Sequence, residues 1–187
     1  MTLDELKNHI VNRPNFWTGF GSPEDFDGLP EMHRDQIHFL DKPATVFLRE
    51  FVDHCKILSA PHENEKQNDW PFRINYFRHI EKLEIYEDTD VKKWIYNRGI
   101  PFATEVFVLA DYSFLTTWKI IAKYAPDIFS RDDTFVFDKT LNWALYYFHH
   151  DTLHFGHGNI NNPETDYKKM EMVNQLKKQL PNSNFPY

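Results

Sequence analysis

Four imidazoles and a carboxylate fall within nine positions of one stretch, His149-His150-Asp151-Thr152-Leu153-His154-Phe155-Gly156-His157. Neutral imidazoles and carboxylates are the usual ligands of zinc and of iron or manganese, so a small metal-dependent hydrolase would keep its chemistry here. The stretch also reads as a β-hairpin, along which side chains alternate in direction. His149 then shares a face with Asp151, and His154 with Gly156, so only about two of the four imidazoles can converge. Half-exposed histidines on a hairpin are the simpler reading, and no metal or other cofactor is expected. The helical zinc motif His-Glu-x-x-His is missing, because His62-Glu63 is followed by Lys66 where the second His should stand.

Nucleophilic chemistry finds no better footing. Cys55 follows His54, but neighbours on a helix point about 100° apart, and Cys55 falls in an apolar stripe that makes it a buried core thiol. Gly19-Phe20-Gly21 and Gly156-His157-Gly158 lack the third glycine of a dinucleotide fingerprint and the lysine of a phosphate loop. There is no Gly-x-Ser-x-Gly elbow either. The chain is therefore not expected to be an enzyme.

Two acid-rich segments remain. One runs through Glu81, Glu84, Glu87, Asp88 and Asp90 with Lys82 as its intervening base, and the other holds Glu24, Asp25 and Asp27 around Phe26. Such runs usually form solvated faces. The sharper reading is an interface whose carboxylates steer a basic partner while aromatics anchor it, with Glu84, Glu87, Asp88, Asp90, Glu24, Asp25, Asp27 and Phe26 as candidates. Net charge fits: 28 acidic against 21 basic residues leave −7, which argues against direct nucleic-acid binding through a basic surface.

These side chains need elements to hold them. Thr2-x-x-Glu5 is a capping box opening a helix to about Val11, and Asn15 to Pro30, rich in Pro, Gly and aromatics, reads as coil. Apolar residues Phe47, Leu48, Phe51, Val52, Cys55 and Leu58 form one helix face starting at Pro43, followed by a surface loop over 59–69. A strand is expected around Leu83 to Tyr86, a helix through Val91, Trp94 and Ile95 to a cap at Gly99, and a buried strand over 104–110. Ser113 opens a helix carrying Phe114, Leu115, Trp118, Ile121 and Ala122. Thr134 to Phe137 is a strand, residues 141–156 form a hairpin turning at His150-Asp151, and a helix from Asn162 and Pro163 closes the chain. Together these predict an α+β domain over 1–187, an antiparallel sheet packed with several helices.

The run Leu141-Asn142-Trp143-Ala144-Leu145-Tyr146-Tyr147-Phe148-His149-His150-Asp151, continuing to Gly156, resembles the tail of bacterial immunity proteins from polymorphic toxin and contact-dependent inhibition systems. Asn15-Phe16-Trp17-Thr18-Gly19 is similar in character. The resemblance implies a non-catalytic inhibitor that binds a cognate protein toxin, with a basic nuclease as the kind the charge suits. No apolar run long enough to span a membrane, no signal-peptide pattern, a single cysteine and no Asn-x-Ser/Thr acceptor lead to the expectation of a cytoplasmic protein without membrane partners.

Overall fold

The computed structural model describes residues 1–14, 23–58, 71–73, 76–130 and 132–159, with positions 171, 172, 175, 178 and 179 near the C-terminus. At the N-terminus the capping box closes: the Thr2 N–H donates to Glu5 Oε2 at 2.7 Å, and the Glu5 N–H to Thr2 Oγ1 at 3.3 Å. The turn it opens is a 3-10 helix, Asp4–His9, that stops short of the expected Val11. Ile10–Val11 is instead strand β1, paired antiparallel with β2 (His38–Leu40). Between them lie two short helices, α1 (Pro23–Asp27) and α2 (Glu31–Arg34), so the coil expected over 15–30 is interrupted by α1. Positions 15–22 and the loop over 59–69 lie outside the described residues.

Helix α3 (Lys42–His54) begins where expected, because Asp41 Oδ1 accepts the Ala44 N–H at 2.9 Å and Pro43 suits the first turn. Its stripe buries Ala44, Leu48, Phe51 and Val52, and Cys55 at its end is a buried thiol. Strand β3 (Phe77–Glu84) starts six residues before the predicted one and stops before Tyr86. Helix α4 (Asp88–Tyr96) ends near Gly99, whose φ of 71° supplies the left-handed turn. Strand β4 (Glu105–Leu109) is followed by β5 (Phe114–Thr117), where a helix was expected; helix α5 (Trp118–Lys123) starts only at Trp118. A further short helix, α6 (Ala125–Ile128), precedes β6 (Thr134–Phe137), β7 (Trp143–Phe148) and β8 (Thr152–Asn159).

Phe148 opposes Thr152, so β7 and β8 form the predicted hairpin around His149, His150 and Asp151. Asp151 takes the left-handed position of that three-residue turn, at φ 55°. All eight strands join one antiparallel sheet in the order β1-β2-β5-β4-β6-β7-β8-β3. Both of its faces are buried. One carries Val106, Val136, Leu145 and Phe155 under α1, α4, α5 and α6; the other carries Phe107, Phe135, Phe137 and Ala144 under α3 and the 3-10 turn. The fold is α+β. Positions 171, 172, 175, 178 and 179 are helical and exposed, while the apolar stripe expected at Tyr167, Met170, Val173, Leu176 and Leu180 lies outside the described residues. Among the described residues no helix is long and apolar enough to cross a membrane.

Candidate partner-binding surface

Three helices on one face of the sheet start with acidic turns. Glu24 and Asp25 stand in the first turn of α1, Asp88 and Asp90 in that of α4 behind Glu87 at its N-cap, and Asp127 in that of α6. Carboxylates at these positions are favoured by the positive ends of the helix dipoles, which is a local reason for each. Packing supplies what the local reason does not. Helix α4 packs against α6, and the Asp127 carboxyl feels the charges of both Asp25 and Asp88. Burial first, then those two carboxylates, push Asp127 above its ordinary value against the pull of Lys92. Asp25, Asp88 and Asp127, exposed on three different helices, are thus near enough for the first two charges to act on the third.

The other candidates divide. Glu24, Glu87 and Asp90 are exposed around this junction's helices. Glu84 is engaged locally: it accepts from the Tyr86 hydroxyl at 2.7 Å and pairs with Lys82 at 3.1 Å, and these two partners hold its carboxyl below the ordinary range. Asp27 pairs with Arg13 at 3.2 Å. Phe26 is a correction, being only 7% exposed and set edge-on to Phe39 at 5.8 Å, because the side of α1 opposite its acids faces the core. It supports the acidic face from beneath and is not an exposed anchor. Asp127 escaped the sequence reading because a lone acid after Pro126 has no local signal; only the docking of α6 on α4 gives it neighbours.

The hairpin histidines separate as strand alternation requires. His149 and His150 sit in the turn with ring centroids 4.2 Å apart, His154 is buried opposite Tyr146 and Lys82, and His157 stacks on His79 at 4.9 Å. Among the described residues no group of three or more His, Cys, Asp or Glu side chains is placed to hold a metal ion.

His149 belongs to a different feature. Asp133 Oδ1 accepts from the His149 backbone N–H at 2.9 Å and lies 2.8 Å from its Nδ1, while Asp133 Oδ2 accepts from the Tyr146 hydroxyl at 2.8 Å. Burial alone would raise the Asp133 carboxyl, but these bonds to His149 and Tyr146 more than reverse it and hold the group below its ordinary value. This trio lines a cleft of about 640 Å³ between α3 and one end of the sheet, joined there by Arg49, Asp53, Asp111 and Asp132. Nothing in the local sequence around 111, 132 or 149 announces the cleft, because its walls come from α3, β4, β6 and β7.

Comparison with protein-family models, with characterised proteins and with solved structures found no match to this chain.

Proposed function

We propose that this chain is a non-catalytic immunity protein that binds and neutralises a cognate protein toxin in the cytoplasm, a basic nuclease being the kind its charge suits. What supports the reading is the acidic first turns of three helices on one side of the sheet, whose Asp25 and Asp88 charges act on the Asp127 carboxyl. Such a face raises the encounter rate with a basic protein and disfavours acidic competitors. The face needs no cofactor, and it works by covering a partner's basic surface, so the chain itself contacts neither nucleic acid nor membrane.

Its test is inhibition. The chain is titrated into a candidate protein toxin, a basic nuclease, while the toxin's activity is followed. Loss of toxin activity at one chain per toxin, weakened by joint Asp25→Asn, Asp88→Asn and Asp127→Asn replacement, supports the reading. Undiminished toxin activity at an excess of chain overturns it.

A further inference from the structure

We propose that strand β3 is a docking edge for a second copy of this chain, the two β3 strands pairing antiparallel about a twofold axis. The edge uses none of Asp25, Asp88 and Asp127, so the proposal does not depend on the immunity reading.

The sheet ends on β1 at one side and on β3 at the other. Strand β1 has two residues and offers little to pair with, whereas β3 has eight, Phe77–Glu84, without a proline. The Ile85 N–H donates to the Asp151 carbonyl at 2.8 Å, which fixes the backbone groups that face β8, since these alternate along an antiparallel pair. Residues 77, 79, 81 and 83 turn theirs towards β8. Arg78, Ile80, Lys82 and Glu84 turn theirs outward, where nothing among the described residues bonds them.

A twofold axis keeps each side chain on its own face, so these even positions must oppose even positions of the second copy. Centring the pair on Glu81 sets Arg78 opposite Glu84 of the second copy and Ile80 opposite its Lys82. All four outward residues then pair, giving about eight backbone hydrogen bonds. Sliding one step either way loses bonds and sets Arg78 against Lys82, or Lys82 against its own copy, and like charges directly opposite are unfavourable. The register with the most bonds is therefore also the one with matched charges. Arg78 is exposed and has no ion pair or side-chain hydrogen bond among the described residues. Glu84 is preset to receive it: Oε1 lies 3.1 Å from Lys82 Nζ and Oε2 accepts from the Tyr86 hydroxyl at 2.7 Å, which holds the carboxylate in place with lone pairs to spare. The like pair, Glu81 opposite Glu81 on the other face, is countered within each chain by Arg98 at 2.6 Å. The same charges turn away strands of other sequence.

Sedimentation of the whole chain over a concentration series tests this. A strand pair buries less than a standard interface, so the dimer should be weak, forming at about 100 μM chain. Arg78→Glu and Glu84→Arg each put like charges opposite at both ends and should weaken self-association about tenfold. Mixed together, the two variants should pair with each other as well as the wild type does with itself, because each supplies the charge the other lacks. Lys82→Pro removes an outward N–H without touching the bonds to β8, and should abolish the dimer while the far-UV circular dichroism stays unchanged. A chain still monomeric at about 1 mM overturns the proposal. So do single variants that dimerise like the wild type, or a mixture that fails to pair. The joint Asp25, Asp88 and Asp127 variant should dimerise normally, so failure here and failure of the immunity reading show in different variants.

Discussion

At Asp127, exposure and stability are in conflict. An acid whose carboxyl is raised in the folded state is more readily protonated there than in the unfolded chain, so stability is lost as pH rises through that raised value. The penalty is therefore present at neutral pH and absent in acid. Asp127→Asn should raise the urea midpoint at about pH 7 and change it little at about pH 3, where both states carry the proton. A gain of equal size at both pH values would mean that the charge is not its source. Trp143 is the opposite case, a residue that serves the core. It lies buried edge-on to Trp118 at 5.1 Å, stacks on Phe155 at 6.0 Å, and donates from Nε1 to Asp138 Oδ2 at 3.0 Å. Trp143→Ala should cost about 3–5 kcal/mol in urea unfolding, the usual range for emptying such a site. An unchanged midpoint would place the indole outside the cooperative core.

The hairpin of β7 and β8 is the element whose register can be tested most sharply. Gly156 faces Ala144 across the ladder and lies against the Phe77 ring, so that a Cβ there would come within 2.2 Å of Phe77 Cδ2. Gly156→Ala should therefore lower stability by about 1–3 kcal/mol through overpacking, and Phe77→Leu in the same chain should recover part of it. Strictly additive losses in the double variant would contradict that contact. This hairpin was legible because its alternation and its His150-Asp151 turn are local signals. Helix α3 was legible for the same reason, with a capping Asp41 and a clean apolar stripe. Phe114–Thr117 was misread because Phe114, Leu115 and Trp118 match a helical stripe, whereas pairing on both edges with β2 and β4 settles the strand. The early start of β3 has a similar cause. Seven partners on β8, six of them consecutive from His79 to Glu84, override the helical spacing of Tyr76, Phe77, Ile80 and Leu83. Of the candidate surface, the individual acids could be read and their meeting could not, since it depends on how α1, α4 and α6 pack.

Across the whole molecule, a sheet buried on both faces leaves function to helix ends, sheet ends and charge. A surplus of seven acidic charges acts over a distance set by salt, and the face around Asp127 concentrates part of it. The most direct measurement is the association rate of this chain with a basic protein toxin that it inhibits, taken by stopped flow across a salt series. Raising salt from 0.1 M to 1 M shortens the screening length from roughly 10 Å to 3 Å, so the wild-type rate should fall about tenfold or more while the dissociation rate changes less. The Asp25, Asp88 and Asp127 asparagine variant should start slower and show a flatter dependence. A variant that associates at the wild-type rate with the wild-type salt slope would contradict the claim that this face receives the partner.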